Sequence, residues 1–412
     1  APEQEELSAS CRPGYRTTGI LSGLGGKNME YTKIEGRFAG FYGILAIMAI
    51  LIVAGLYEFI KGMIQGHESF GTSNIVPWGL PITTVIFFIG ASAGALMLSS
   101  LTYVFGKEEY KPVSRVSIFL AILLIIGALT TILGELGRPD RFINLFIYGP
   151  ENLTSMFAVN SFLYTGYIIL SSAYLWTTFR EDLLSLTKLL GGLAATLAIF
   201  VHAGTGAIFG FIIAKELWFS PLLPILFIVA ALTSGVALLI LILTVTFKLI
   251  GYKMDEKLVV GLGKYLTAFL LLQLFLVFIE NIVRTYGGLG GGEMSKFLFS
   301  GPYSFVFWGM QIFIGTVIPI FILSSRKTML TVQIASLLAV IGVFAERFSL
   351  VIPGQSVPSQ QVVGRTMMGL YGEPAIYSIS GAEVAIILGV VGGIGLAYII
   401  GLRFIKLLPS QR

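Results

Sequence analysis

Residues 116–134 read VSIFLAILLIIGALTTILG, nineteen positions without a charge, and residues 135–142 follow at once as ELGRPDRF. A run of that length matches the ~20 apolar residues that carry a helix across a bilayer. The charged, proline-bearing segment after it marks where such a helix must stop. Working outward in both directions, comparable runs fall at 37–61, 77–105, 113–137, 156–179, 189–214, 221–249, 258–283, 303–324, 328–351 and 380–407. The pattern predicts an all-α integral membrane protein of about ten transmembrane helices. Composition agrees, with 55% hydrophobic and only 12% charged residues and a mean hydropathy of +0.87, where a soluble domain has roughly 25% charged residues.

The net charge of +5 is spread through short loops and never forms a tract, so nucleic acid is not an expected partner. Lys and Arg concentrate on the side that holds both termini. The positive-inside rule then predicts a multi-pass protein of the cytoplasmic membrane with both ends in the cytoplasm and the longer segments 284–302 and 352–379 outside. The expected divisions are a polar cytoplasmic arm (1–36), a flanking helix (37–61), an outer loop (352–379), and a final helix with its tail (380–412). Residues 1–28 lack an apolar core and do not read as a secretory signal; Met29 is a candidate start. With one cysteine, Cys11, and two histidines, His67 and His202, neither a self-held iron–sulfur cluster nor a bis-histidine haem is expected, and no metal site. No phosphate-binding loop motif occurs, and the glycine cluster at 287–292 reads as a flexible outer loop.

The second and sixth spans open alike, with Pro77-Trp78-Gly79-Leu80-Pro81 and Pro221-Leu222-Leu223-Pro224, and carry Ser92-Ala93-Gly94 and Ser234-Gly235 at mid-helix. The third and seventh end in Glu135 with Arg138 and Glu280 with Arg284. Pro81 to Pro224, Glu135 to Glu280 and Arg138 to Arg284 are offset by 143, 145 and 146 residues. An offset of four helices keeps two copies parallel. The expected architecture is therefore two parallel-repeat four-helix bundles, 77–214 and 221–351, with one flanking helix at each end.

An ionisable side chain within a span costs several kcal/mol to insert, which makes Glu58, Glu135, Glu280, Glu346, Arg347 and Glu383 functional candidates, all in the outer half. Glu135 and Arg138, at i and i+3, share a helix face and are expected to pair, with Asp140 and Arg141 beside them at the interface. His202 lies in an apolar stretch (Phe200–Gly206) and is a candidate proton donor and acceptor, since a free imidazole titrates near neutrality; a shift of 145 residues lands on Arg347. Trp78, Asn160 and Tyr164 would flank the same outer pocket. Each also has a plain structural reading, as a snorkelling charge, an interhelical hydrogen bond or an interfacial aromatic.

Taken together, Pro77–Pro81, Leu136–Phe142, Ala345-Glu346-Arg347 and the pair Tyr377…Glu383 resemble the polysulfide-reductase-type membrane subunits, the NrfD family, over most of 36–407. The length and the central-helix histidine look like its ten-helix, hydrogenase-associated (HybB-like) branch, which also resembles the membrane subunit of DsrMKJOP-type sulfite-reductase-linked complexes. The resemblance implies a quinone site near the outer face, menaquinone foremost, in a subunit holding no haem or iron–sulfur cluster itself. It implies electron exchange with an extracytoplasmic ferredoxin-like iron–sulfur subunit, connected in turn to a cytochrome c or other catalytic subunit. On that expectation His202, Glu135 and Glu58 handle hydrogen bonds and protons. Arg138, Asp140, Trp78, Asn160 and Tyr164 shape the quinone pocket, and Glu280, Arg284, Glu346, Arg347 and Glu383 form a proton or ion-pair network. The chain departs from the shorter branch at span one, where Tyr57 and Glu58 stand in place of a histidine or asparagine. The competing readings are a secondary transporter and a proton-translocating anchor without quinone chemistry. Transporters place sites near the midplane on broken helices, whereas no span here looks interrupted.

Overall fold

The computed structural model describes residues 30–34, 40–215, 217–252, 254–286, 291–325, 327–356 and 375–410. Most of the expected arm 1–36 (1–29 and 35–36), Cys11, most of the glycine cluster and the greater part of the expected outer loop 352–379 (357–374) lie outside the described residues.

Among the described residues, ten helices are long and apolar enough to cross a membrane. They are α1 (Phe41–Gln65), α2 (Leu80–Tyr103), α3 (Lys111–Glu135), α4 (Met156–Thr177), α5 (Leu184–Gly210), α6 (Leu223–Leu249), α7 (Glu256–Tyr286), α8 (Phe305–Ser325), α9 (Met329–Ser356) and α10 (Gly381–Phe404). Prolines start several of them: Pro81, Pro112 and Pro224 fall in the first turn, where a missing N–H costs nothing. Helices α2, α3, α4 and α5 pack together, as do α6, α7, α8 and α9; α1 and α10 pair at the side against α3. The two groups meet where α2 crosses α6. A Cβ on Gly94 would strike the Ala231 carbonyl and one on Gly235 would strike the Gly94 backbone, so glycine alone permits this approach. Helix α2 is buried almost throughout, while α1, α7 and α8 expose Ile50, Val53, Phe275, Phe278 and Phe321, as lipid-facing helices do.

Hydropathy misplaces several ends, because it marks apolar stretches rather than hydrogen-bonded turns. Helix α1 begins four residues later than expected, after Gly40 in the left-handed region (φ 78°). Helix α5 starts earlier, at Leu184, through polar residues. Helix α9 continues past Pro353 to Ser356, which leaves Glu346 and Arg347 some ten residues, roughly 15 Å, inside its end rather than near it. Span eight is continuous, as expected, but changes its turn: Phe305–Val317 is π-helical and only Ile318–Ser325 is α-helical. Pro319 has no N–H to return to Gly315, and Gly315 lies against Gly342 of α9, which together favour the wider turn.

Two short segments, one before the first helix and one after the last, meet at the end of α3 and α10 away from Glu135 and Glu383. Residues β1 (Tyr31–Thr32) and β2 (Leu408–Pro409) pair antiparallel. Arg115, at the start of α3, stacks on Tyr31 (3.7 Å to the ring centre) and lies near Phe179. It donates to the carbonyls of Thr178 and Lys406. One guanidinium thus fastens both terminal segments and the α4–α5 turn. Hydrogen bonds to a charged group contribute about 2 kcal/mol each. Arg115→Ala is expected to lower the thermal midpoint of the purified protein and to expose the C-terminal tail to protease, measured by limited proteolysis; Arg115→Lys, unable to fork between two carbonyls, falls between.

Candidate functional site

The first turn of α2 organises one end of the molecule. Glu383, fully buried, caps α10 through a reciprocal pair with Ser380. Its carboxylate also accepts from Gly71 N (3.1 Å), Ser380 N (3.0 Å), Tyr377 OH (2.7 Å) and Leu80 N (3.4 Å). Tyr377 OH in turn accepts from Leu80 N at 2.8 Å. Burial, and next the hydrogen bond to Glu383, push the Tyr377 hydroxyl well above the usual tyrosine range, so it remains a donor. Across α2, Gln355 holds Trp78 by both backbone groups, accepting from N (2.9 Å) and donating to O (3.0 Å). The Trp78 ring stacks on Trp218 (5.6 Å, 17°) and meets Phe209 and Phe157.

Glu135 is the last residue of α3, within electrostatic reach of Glu383, and its Oε1 is buried without a hydrogen-bond partner among the described residues. The expected Glu135–Arg138 pair does not form. Leu136 leaves the helix (ψ 120°) and Arg138 is also outside the helical region (φ −136°, ψ 72°), which the proline after it disfavours, so the i, i+3 relation is lost. Arg138 instead grips Asp140 with two hydrogen bonds (2.9 and 2.7 Å) at the exposed surface, and holds that carboxyl below its usual range. Glu58 pairs with Lys61 (3.3 Å) on α1; its neighbour Phe59 reaches the Gly134 position.

Asn160 and Tyr164 lie buried between α4 and α5. Asn160 Nδ2 donates to Met156 O (2.7 Å), while Oδ1 has no partner among the described residues and points at Gly204, where a Cβ would come within 2.6 Å. Tyr164 OH and Thr205 Oγ1 are 2.9 Å apart. His202 faces the other way, into the seam of α2, α5 and α6. It packs on Gly90, where a Cβ would be 2.9 Å from its ring, and on Phe227 (5.3 Å). Both ring nitrogens lack partners among the described residues. Arg347 lies over the same Phe227 ring at 3.9 Å and within electrostatic reach of His202. The two basic residues that the offset of 145 relates are therefore neighbours.

The structure thus groups the candidates differently from the sequence. Trp78 meets Phe157 at the start of α4, three residues before Asn160, and Glu135 lies within electrostatic reach of Glu383, which bonds Leu80 at the start of α2 rather than joining the Glu280 group. Gly90 lies ten residues, roughly 15 Å, along α2 from Leu80, so His202 is deeper than Glu135. Among α6–α9, Glu280 accepts from Arg284 (2.6 Å) and Ser220 (2.8 Å), and Arg284 also donates to Leu217 O. Arg347 pairs with Glu346 (3.3 Å), which also accepts from Gln273. Gln273, Gln311, Gln355 and Trp218 escaped sequence reading. For Gln273 and Gln311 an amide in an apolar span was the available signal, because an amide in lipid must find a partner; Gln355, in the expected outer loop, and Trp218, in a loop, gave none.

A ten-helix membrane protein with unsatisfied polar atoms buried among its first helices is the class this architecture defines. The chain belongs to the NrfD family: residues 68–359 match the family described as polysulphide reductase, NrfD. It is 34% identical over 391 residues to the Hdr-like menaquinol oxidoreductase integral membrane subunit of Archaeoglobus fulgidus, covering 93% of this protein and 98% of that one. It is 30% identical to a selenate reductase subunit of Mesobacillus selenatarsenatis (77% and 82% covered) and 25% identical to a polysulfide reductase chain of Wolinella succinogenes (69% and 96%).

Proposed function

We propose that this chain is the quinone-reactive membrane subunit of a respiratory oxidoreductase complex. The observation that carries this is the set of buried polar atoms without partners among the described residues, Glu135 Oε1, Asn160 Oδ1 and both nitrogens of His202. Native interiors rarely leave such atoms unpaired, and a head group with two oxygens, alternately acceptor and donor, suits them. Relatives named for menaquinol oxidation and menaquinone reduction support menaquinone as that molecule.

A quinone supplies two-electron, two-proton carrier chemistry; this chain's residues supply place and protons. Trp78, clamped by Gln355, forms a wall of the mouth of α2–α5. Asn160 accepts a hydrogen bond from the outer side, Tyr164 fixes α4 against α5, and Glu135 exchanges a proton at the rim with Glu58 as the outward relay. His202 is the hydrogen-bond partner from the inner side. The mouth opens outside the cytoplasmic membrane, with both termini cytoplasmic, and the Arg138–Asp140 pair borders the surface where an extracytoplasmic ferredoxin-like iron–sulfur subunit docks, itself linked to a cytochrome c or another catalytic subunit. The division into bundles 77–214 and 221–351 is the frame of this reading.

Electron transfer from a menaquinol analogue by the purified complex provides the test. His202→Ala and Asn160→Leu are each expected to lower turnover about tenfold, a loss of about 1.4 kcal/mol. Turnover within twofold of wild type in both would sink the assignment. The transporter reading draws on the π segment and on the depth of Arg347; solute flux through liposomes holding this chain alone would move the conclusion there.

A further inference from the structure

Among α6, α7, the π segment of α8 and α9 lies a cavity of about 50 Å³, room for a few waters. Four of its lining residues carry buried polar atoms with no hydrogen-bond partner among the described residues: Nε and Nη2 of Arg347, Nε of Arg284, Oε1 of Gln311 and Oγ of Ser349. These side chains are 10% exposed or less. The π turn contributes directly: with its i→i+5 bonding, Thr316 donates to the Gln311 carbonyl and both side chains are buried. Beside the cavity, and sharing Val277, Asn281 and Phe307 with it, an apolar groove of about 400 Å³ runs between α7 and the π segment, with Phe278, Trp308 and Ile312 along it.

The chemistry of the two spaces narrows the occupant. Arg284 is balanced by Glu280 and Arg347 by Glu346, so the cavity as a whole is neutral. A phosphate-headed lipid would bring an uncompensated charge into a dry site; a neutral head brings none. Three orphan N–H donors, one orphan amide oxygen and one hydroxyl call for an oxygen that accepts from a guanidinium and, when it carries hydrogen, donates to Gln311. The groove asks for an apolar body, and its volume falls within the range of small-molecule sites.

We propose that this is a second site for a lipid-soluble quinone or quinol, separate from the mouth of α2–α5. The oxygen end of the head meets Arg347 and Gln311, and the ring and tail lie in the groove. The cavity is too small for an aromatic ring, which fixes that orientation. Only the choice of occupant rests on the quinone reading above; the cavity, its orphan atoms and the groove stand without it.

Equilibrium binding of a tritiated menaquinone analogue with a short saturated tail to the purified complex in nanodiscs reads the stoichiometry. Two molecules per chain are expected for wild type. One is expected for Gln311→Leu, and one for Ile312→Trp, whose ring fills the groove from the lipid side without touching the charged pairs, so that misfolding around Arg347 is separated from loss of the site. One molecule per chain in wild type and in both variants overturns the second site and leaves the first standing; none in any of them overturns both. A phospholipid held stoichiometrically by wild type and lost from Ile312→Trp, detected by mass spectrometry, also overturns it.

Discussion

Quinol-dependent electron transfer is expected to fall about a hundredfold in Glu135→Gln, the lower end of what a positioned acid–base group contributes. Glutamine keeps the length and the hydrogen-bonding oxygen of Glu135 but cannot release a proton. The loss therefore belongs in kcat, with KM for the quinol analogue nearly unchanged. Glu135→Asp retains the carboxyl one methylene back and should recover part of the rate. Stability gives an independent check. Glu135 Oε1 has no hydrogen-bond partner among the described residues, and Glu383 lies within electrostatic reach. Removing one of two nearby carboxylates costs the fold nothing, so the thermal midpoint of Glu135→Gln should equal or exceed that of wild type. A variant that keeps turnover within twofold, or that loses rate only because it unfolds, would remove Glu135 from the chemistry.

The ten spans and their alternating direction were legible because lipid imposes a single rule, a continuous apolar length, that a one-dimensional reading can apply. Helix ends were less so: Leu184 and Ser356 belong to helices through hydrogen bonds that hydropathy does not weigh. The π segment was invisible, since Phe305–Val317 is as apolar as any α-helical span. The list of charged candidates was readable for the same reason as the spans, since a charge stands out in an apolar run. Their partners were not. Spacing suggested Glu135 with Arg138, but Pro139 disfavours helix in the residue before it, and Arg138 goes to Asp140. The expected proton or ion-pair network put Glu383 with Glu280, but capping α10 sends its carboxylate to Gly71 and Leu80, some three hundred positions away in sequence. The same offset suggested that His202 and Arg347 are equivalent and apart; they share one phenylalanine.

The fastening of α10 to α2 carries the second large effect. Glu383→Ala removes the acceptor of four donors at once, Gly71 N, Ser380 N, Leu80 N and Tyr377 OH. A buried donor left unmade costs about 1–3 kcal/mol, while the Ser380 N-cap itself survives, because its hydroxyl accepts from the backbone N–H of residue 383. Tyr377 still serves Leu80, so the total is smaller than the sum; about 4 kcal/mol is expected, enough that most of the protein fails to reach the membrane folded. Glu383→Gln separates fastening from chemistry. Its amide can still accept, but its NH2 meets donors on whichever side it faces, because Tyr377 OH is already accepting from Leu80. The expected order of thermal midpoints is wild type, then Gln, then Ala, with quinol turnover per folded molecule in Glu383→Gln within fivefold of wild type. Because the start of α2 also carries Trp78, any rate lost in Glu383→Gln should appear as a raised KM, the mark of a loosened mouth. A Glu383→Ala protein as stable as wild type would contradict the fastening role. A Glu383→Gln protein with wild-type stability and a hundredfold lower kcat would move Glu383 beside Glu135 as a proton-exchanging group.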